Sequence, residues 1–261
     1  MRYMGGKFRQ SKAIAQCLKP YFNENTVYVE PFCGGMWSAC RVINELHPKS
    51  VILNDINKPL MLLWQKCLKE GCDWLPTDSE TVEREYQNYR LAQDENDPLT
   101  AWYGIALSFG GKWFGGIARN SKDDYTHGYI AERKSIYKKV GTLSTAPLKL
   151  FNMDYRLLNI PDGAVVYCDP PYAGRTKAHH FDTWDDGAFW QWVRNLSNRC
   201  TVFVSCFDCP SDFEVVYSWG DTVVRHLNSK GTDGTCEKLV RLRGEKNNAA
   251  EEGEVEEGHL E

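Results

Sequence analysis

The chain has 261 residues, of which 42% are hydrophobic and 25% are charged, and its formal net charge is −4 at pH 7. These proportions are typical of a globular protein and exclude a collagen-like chain, a coiled coil and wholesale disorder. There is no run of 18 apolar residues, and the first residues lack the apolar core of a signal peptide. We therefore expect neither a membrane span nor secretion.

Charge is unevenly distributed along the chain. Residues 245–261 carry seven acidic residues and one basic residue, whereas the rest of the chain has a net charge of +2. We expect 244–261 to form a disordered acidic tail, because it has almost no apolar content. The stretch 112–149 carries eight basic and three acidic residues among several aromatic ones, a mixture that suits nucleic acid. A solvated helix face is the alternative interpretation of this stretch.

The first 70 residues predict the alternating strands and helices that open a doubly wound sheet. Apolar residues at helical spacing mark the helices, and short β-branched runs mark the strands. In chain order the predicted elements are a helix over 8–19, a strand over 27–29, a helix up to Leu46, a strand over 51–53 and a helix from Pro59 to about Lys69.

The pattern over 73–140 is helical and polar, without clear strands. Strands resume after it, and Asp185 is placed to cap a later helix with one apolar face. The predicted later strands are 148–151, 165–167, 202–204, 223–224 and 238–242.

This order predicts an α/β fold whose sheet domain is interrupted by a helical insertion. The boundaries predicted for the sheet domain are 1–70 and 146–243, and those for the insertion are 71–145.

Ten cysteines are scattered along the chain, and we expect them to be reduced thiols. Cys206 and Cys209 have C-x-x-C spacing but no second pair of ligands follows, so no metal site is predicted.

Two adjacent glycines, Gly34 and Gly35, follow the first predicted strand. Glycine lets a backbone approach a ligand closely, and open sheets bind ligands at the carboxyl ends of their strands. Asp55 follows the second strand, where a carboxylate can accept hydrogen bonds from both hydroxyls of a ribose. The pair indicates a nucleoside cofactor, although adjacent glycines after a strand often form a simple tight turn. No G-x-G-x-x-G fingerprint is present, which disfavours a nicotinamide dinucleotide.

The tetrapeptide Asp169-Pro170-Pro171-Tyr172 follows the apolar run 164–168. Prolines fix φ and lack N–H groups, so they form a rigid shelf rich in hydrogen-bond acceptors. The carboxylate and a proline carbonyl can accept hydrogen bonds from the two N–H groups of a planar amine. The tyrosine ring can stack on the nucleobase that carries this amine. At the start of the chain, the segment Tyr3–Lys7 contains Gly-Gly-Lys without the spacing of a P-loop.

Together these motifs resemble the Dam-like (D12 class) DNA adenine-N6 methyltransferases over most of residues 1–243. Members begin with an aromatic-x-Gly-Gly-Lys segment, which matches Tyr3–Lys7 here. Their first turn reads Glu-Pro-Phe-x-Gly-x-Gly, which matches Glu30–Met36 except that Met36 replaces the last small residue. Cys206 is a second departure, since the family commonly has Ser-Asn where this chain has Ser-Cys.

The resemblance implies a Rossmann-like methyltransferase sheet, S-adenosyl-L-methionine as cofactor and N6-methyladenine in double-stranded DNA as product. It also implies a cytoplasmic protein of a bacterial or phage-infected cell. The catalytic residues that it implies are Asp169, Pro170, Pro171 and Tyr172. The cofactor-binding residues that it implies are Tyr3, Lys7, Phe32, Gly34, Asp55, Asp154 and Asp169.

Target recognition is expected in the insertion. The glycine-rich stretch 108–116 predicts a loop pressed close to DNA, and a turn over buried aromatic residues is the alternative. Arginine and asparagine are the residue types that read guanine and adenine edges. The candidate DNA-binding residues are Lys112, Trp113, Arg119, Asn120 and Lys122.

Three alternatives remain open at this point. The first is an RNA or protein methyltransferase, since some RNA guanine-N2 methyltransferases carry Asp-Pro-Pro-Tyr and protein glutamine methyltransferases carry Asn-Pro-Pro-Tyr. A DNA-binding module without catalysis is the second alternative, and a nicotinamide oxidoreductase is the third. The sequence leaves open the recognised DNA site, the oligomeric state, the role of the tail and the choice between a restriction–modification, phage or housekeeping role.

Overall fold

The computed structural model describes residues 1–118, 126–172, 184–220 and 236–244. Its α-helices are α1 (Ser11–Leu18), α2 (Trp37–Leu46), α3 (Lys58–Glu70), α4 (Ser79–Ala92), α5 (Pro98–Ala101), α6 (Thr126–Leu143) and α7 (Asp186–Ser197). Its strands are β1 (Val27–Glu30), β2 (Ser50–Asn54), β3 (Leu148–Phe151), β4 (Val165–Cys168), β5 (Thr201–Cys206), β6 (Phe213–Ser218) and β7 (Lys238–Leu242).

The strands form one sheet in the order β3-β2-β1-β4-β5-β7-β6. Strands β1 to β5 run parallel, and β7 lies antiparallel between β5 and β6. The strand order reverses between β1 and β4, which makes their carboxyl ends the switch point where such sheets bind ligands. The predicted α/β class with a doubly wound sheet is confirmed.

Neighbouring residues of a strand face opposite sides of the sheet, and each side has its own core. In β1, Tyr28 joins the core with α1, α2 and α3, whereas Val29 joins the core with α7. Residues of α4, α5, α6 and the π-helical turn at Trp102–Ala106 belong to the same core as α1 to α3. The helices predicted as an insertion therefore pack over one face of the sheet.

Local sequence signals set several helix ends. The Asn57 side chain accepts a hydrogen bond from Leu60 N at the start of α3, and Pro59 occupies the first turn. The predicted cap at Asp185 is present, since its carboxylate accepts from Ala188 N at 2.9 Å. The strand β6 was missed by the sequence analysis, although Val215, Val216 and Tyr217 are residues that favour strands.

Some sequence predictions fall on parts of the chain that the structure does not describe. The strand predicted over 223–224 and the tail residues 245–261 lie outside the described residues. None of the helices in the described ranges is long and apolar enough to cross a membrane. Among the same residues, no group of three or more His, Cys, Asp or Glu could hold a metal ion.

Candidate active site

The turn after β1 carries the two glycines predicted near a cofactor. Gly34 has φ +41°, and a Cβ atom at this position would lie 2.6 Å from the ring of Tyr3. A Cβ atom at Gly35 would lie 2.7 Å from Cβ of Tyr3. The glycines therefore admit Tyr3 of the N-terminal segment against the turn. Met36 adopts φ +59° and is fully buried, so the residue that departs from the family pattern keeps the left-handed backbone typical of glycine.

Asp55 ties the turn after β1 to the end of β2. Its Oδ2 atom accepts a hydrogen bond from Gly34 N at 2.9 Å, and its Oδ1 atom accepts from Asn57 N at 2.9 Å. Burial raises the pKa of Asp55 to about 6, although both backbone hydrogen bonds act in the opposite direction. Each carboxylate oxygen has a second lone pair, so the side chain can still accept hydrogen bonds from two hydroxyls. This pair of acceptor oxygens fits the ribose of a nucleoside cofactor.

A second carboxylate lies across the switch point, directly after β4. Asp169 Oδ1 is 2.8 Å from Lys7 Nζ and accepts a hydrogen bond from the Tyr172 hydroxyl at 2.9 Å. Glu237 lies beside both donors, at 3.0 Å from Lys7 Nζ and 2.8 Å from the Tyr172 hydroxyl. We call Lys7, Asp169, Tyr172 and Glu237 the transfer cluster. The structure thus brings together three residues predicted from the motifs and adds Glu237.

Charges and burial in the transfer cluster oppose one another. Burial raises the pKa of Asp169, the charge of Lys7 lowers it, and the charge of Glu237 raises it further. Burial alone would lower the pKa of Lys7, but the two carboxylates outweigh it and the pKa lies above its usual value. Lys7 therefore stays an ammonium, although only 4% of the residue is exposed. The Asp169 side chain is 20% exposed, so the carboxylate is accessible to solvent.

Glu237 was missed by the sequence analysis because no motif surrounds it. It precedes β7, and β7 is antiparallel to the first five strands, so its first residues lie at the carboxyl edge of those strands. The one available signal is an acidic residue directly before the last predicted strand. That signal becomes informative only when the strand direction is known.

The remaining residues predicted to bind the cofactor include Phe32 and Asp154, which lie along the carboxyl ends of β1 and β3. Phe32 packs in an aromatic group, with its ring centroid 5.1 Å from that of Tyr155 and 5.8 Å from that of Trp184. Asp154 follows β3 and binds the guanidinium of Arg156 through both carboxylate oxygens. Hydrogen bonds from Arg156 hold the pKa of Asp154 below its usual value, so its carboxylate is charged. Both predicted residues therefore lie at the sheet edge that also holds Asp55.

Part of the glycine-rich stretch of the insertion packs against protein, which favours the alternative prediction of a turn over buried aromatic residues. Gly111 has φ +69°, and a Cβ atom there would lie 2.6 Å from Cα of Tyr3. The ring of Phe114 fills the space beside Gly104 and is 8% exposed. Trp113 donates its indole N–H to Gln93 Oε1 at 2.9 Å. The glycines allow close packing within the fold, as the alternative interpretation had it.

Of the predicted DNA-binding residues, Lys112 is exposed and Trp113 is partly buried. Arg119, Asn120 and Lys122 lie outside the described residues.

A further lysine of the insertion, Lys139 of α6, reaches the Gly34–Gly35 turn and donates a hydrogen bond to the Gly35 carbonyl. Its ammonium also lies 3.4 Å from the ring centroid of Trp37, and burial lowers its pKa to about 7.

Replacing Gly111 by alanine should destabilise the protein more than the same change at Gly110. Both glycines have positive φ, but a Cβ atom at Gly110 meets nothing within 4 Å. We expect Gly110→Ala to cost about 1 kcal/mol, the strain of a left-handed alanine. Gly111→Ala adds a clash with the Tyr3 backbone, so we expect about 3 kcal/mol. Urea unfolding of both variants measures the difference, and equal losses would contradict the packing of Gly111 on Tyr3.

Comparison with known proteins finds a matching family, a related sequence and distantly similar structures. A family model described as D12 class N6 adenine-specific DNA methyltransferase matches residues 3–101 and 113–228. The retron Ec67 DNA adenine methylase of Escherichia coli is 29% identical over 188 residues, which make up 65% of this chain and 63% of that protein. The matched part therefore spans less than two thirds of this relative.

Among solved structures, the rRNA methyltransferase aviRa from Streptomyces viridochromogenes is 16% identical with a TM-score of 0.44, covering 92% of this chain and 86% of that one. The precorrin-6y C5,15-methyltransferase from Geobacter metallireducens is 7% identical with a TM-score of 0.40, covering 89% and 87%. Both likenesses are too low to carry an inference.

The family match covers most of the chain, including the glycine turn, Asp55 and the tetrapeptide that begins at Asp169. It confirms the family predicted from these motifs, and with it S-adenosylmethionine as the methyl donor. The chain belongs to the D12 class of N6 adenine-specific DNA methyltransferases.

Proposed function

We propose that this protein transfers a methyl group from S-adenosylmethionine to N6 of an adenine flipped out of duplex DNA. The transfer cluster is the observation that carries the proposal. Its Asp169 carboxylate lies at the sheet's switch point, held through one oxygen by Lys7 and Tyr172. A carboxylate held in this way has a second oxygen with which to accept a proton of an amine.

The cofactor would be held by residues at the carboxyl ends of β1, β2 and β3. Asp55 would bind the ribose hydroxyls, and Asp154 would accept from the adenine amine of the cofactor. The residues that would line the rest of this pocket are Phe32, Gly34, Tyr3 and Lys7, the last two beside the methionine end. When bound, S-adenosylmethionine supplies a methyl group activated by a positive sulfur and leaves as a neutral thioether.

The chain's own groups would act on the target amine. The N6 amine is a poor nucleophile, because its lone pair is delocalised into the purine ring. Hydrogen bonds from its two protons to Asp169 and to the Pro170 carbonyl would localise that lone pair on nitrogen. As the nitrogen forms its bond to the methyl carbon, one N–H proton passes to the Asp169 carboxylate. Orientation and fixed charges supply the rate in such a site.

A base stacked within a duplex cannot reach this shelf. The adenine must therefore leave the stack, at a cost of about a few kcal/mol. Tyr172 would hold the extruded base by stacking, while its hydroxyl keeps its place between Asp169 and Glu237. Pro171 would keep the shelf rigid, since its ring restricts the backbone.

We also propose that residues 71–145 recognise the DNA target, next to a catalytic domain formed by 1–70 and 146–243. Lys112 is exposed and suits a phosphate contact, which would position the duplex without reading its sequence. Arg119, Asn120 and Lys122 are the proposed base and phosphate contacts. A DNA substrate would place the protein in the cytoplasm of a bacterial or phage-infected cell.

Methyl transfer from labelled S-adenosylmethionine to unmethylated DNA tests the proposal directly. Digestion and nucleoside mass spectrometry should reveal N6-methyladenine, and sequencing of the same DNA should locate the modified site. Label found in RNA and absent from DNA would instead favour an RNA methyltransferase. Cofactor binding without label in either nucleic acid would favour a DNA-binding module without catalysis.

A further inference from the structure

Glu237 is a buried carboxylate that the transfer chemistry proposed above does not use. It precedes β7, and the residue after it, Lys238, pairs with Cys206 at the end of β5. Its side chain is 10% exposed. One oxygen contacts Lys7 and Tyr172, and the other accepts a hydrogen bond from Gln10 Nε2 at 3.2 Å. Glu237 is therefore built into the site from a distant part of the chain.

Both donors that hold Asp169 are shared with Glu237. Lys7 Nζ lies 2.8 Å from Asp169 Oδ1 and 3.0 Å from Glu237 Oε1. The Tyr172 hydroxyl lies 2.9 Å from Asp169 Oδ1 and 2.8 Å from Glu237 Oε1. A hydroxyl has one proton, so Tyr172 can donate fully to only one of these oxygens at a time. Without Glu237, the ammonium and the hydroxyl would both act on Asp169 alone.

We propose that Glu237 is a positioning residue that draws part of the charge of Lys7 and the hydroxyl of Tyr172 away from Asp169, and so keeps Asp169 a strong acceptor for the target amine. This role rests on the proposed methyl transfer. Glu237 acts through Lys7 and Tyr172 and does not touch the reacting atoms. A second buried negative charge beside Asp169 also opposes the effect of Lys7 on the pKa of that carboxyl.

Other titratable groups also act on Asp169, but they differ from Glu237 in distance or charge. Burial raises the pKa of Glu30 to about 8 and that of Asp55 to about 6, so Glu30 is neutral at pH 7. Tyrosines and a thiol near Asp169 are likewise neutral, because burial raises their pKa. The groups that face Asp169 are Tyr3 and Lys7 from the N-terminal segment, Glu30 at the end of β1, Asp55 after β2, Tyr167 and Cys168 in β4, Tyr172 in its own loop and Glu237 before β7.

The variant Glu237→Gln keeps the shape of the side chain and removes its charge. The Asp169 carboxyl then faces Lys7 without a competing carboxylate, so its pKa falls. We expect the acid limb of the kcat profile to move to lower pH by about one unit. We expect kcat near pH 7.5 to fall about tenfold because the acceptor is weaker, while KM for S-adenosylmethionine stays within about twofold.

Glu214→Gln is the matched control. Glu214 lies in β6 of the same sheet and pairs with Arg241, away from the transfer cluster. The Glu214→Gln variant loses the same charge as Glu237→Gln, and its pH profile of kcat should coincide with that of the wild type. Glu237→Asp keeps the charge on a shorter side chain, so its acid limb should lie between those of wild type and Glu237→Gln. This variant carries the test if Glu237→Gln does not fold.

An acid limb that stays in place while kcat falls would overturn the proposal, because it would leave Glu237 a purely structural role. Unchanged kcat and profile would overturn it as well. Titration of carboxyl carbons by NMR, with Asp169→Asn for assignment, measures the pKa of Asp169 without any substrate. If the wild type does not methylate DNA, the proposed function fails, and this titration still decides whether Glu237 controls Asp169.

Discussion

The variant Asp169→Asn should lose methyl transfer almost completely while it still binds S-adenosylmethionine. The amide keeps the shape of the side chain but cannot accept the proton that leaves the target amine. It also exchanges one charged contact with Lys7 for a neutral one. We expect kcat to fall by a thousandfold or more, which is about the upper range for loss of a general base. Single-turnover methylation and equilibrium binding of the cofactor separate the two effects.

Asp208 provides the control for this substitution. It follows β5 at the same edge of the sheet and is exposed, so Asp208→Asn removes a nearby charge without entering the transfer cluster. Its activity should remain within about twofold of the wild type. Activity of Asp169→Asn near the wild-type level would remove Asp169 from the chemistry. A thermal unfolding midpoint close to that of the wild type would establish that the variant is folded.

The variant Asp55→Asn should lose cofactor affinity. An amide has one acceptor oxygen where the carboxylate has two, so either Gly34 N or Asn57 N loses its partner. The ribose hydroxyls lose a charged acceptor at the same time. We expect affinity for S-adenosylmethionine to fall about a hundredfold, and the free energy of unfolding to fall by about 1–3 kcal/mol. Calorimetric titration and urea unfolding measure the two losses.

The pKa of Asp55 adds a second readout to this prediction. Burial raises it to about 6, and hydrogen bonds from ribose hydroxyls would favour the charged form. Wild-type affinity for S-adenosylmethionine should therefore decline as the pH falls below about 6, and this decline should be absent in Asp55→Asn. Asp212→Asn removes a carboxylate paired with Arg194 and should show the wild-type curve. Equal pH dependence in wild type and Asp55→Asn would remove Asp55 from the cofactor site.

Local patterns predicted the parts of the site that depend on short stretches of chain. The turn at Gly34, the carboxylate of Asp55 and the shelf at Asp169 each follow a strand, and parallel strands bring their carboxyl ends to one edge. The predicted cap at Asp185 is likewise a contact within three residues. Such features follow from neighbouring residues alone, so a single sequence suffices to find them.

Contacts over long separations could not be predicted in this way. Glu237 contacts Lys7, from which it is separated by 230 residues in the sequence. It lies at the carboxyl edge of the parallel strands only because β7 runs in the opposite direction. The sequence analysis placed the glycine-rich stretch 108–116 against DNA. Its glycines indicate that another group packs closely on the backbone, but they do not identify that group. The structure identifies Tyr3 as the neighbour of Gly111, and it places the ring of Phe114, from the same stretch, against Gly104.

If residues 71–145 recognise the DNA target as proposed above, the positions of Lys139 and Gly111 limit how that target can change. Lys139 of α6 donates to the Gly35 carbonyl, and Gly111 packs on Tyr3, which itself rests on Gly34. A chimera in which residues 71–145 come from a relative would also lose Lys139 and Gly111. These two residues hold the Gly34–Gly35 turn and Tyr3 in place. New specificity should therefore arise by substitution of single residues or short exposed segments. Transplantation of the whole segment would have to carry matching changes at Tyr3 and Gly35 with it.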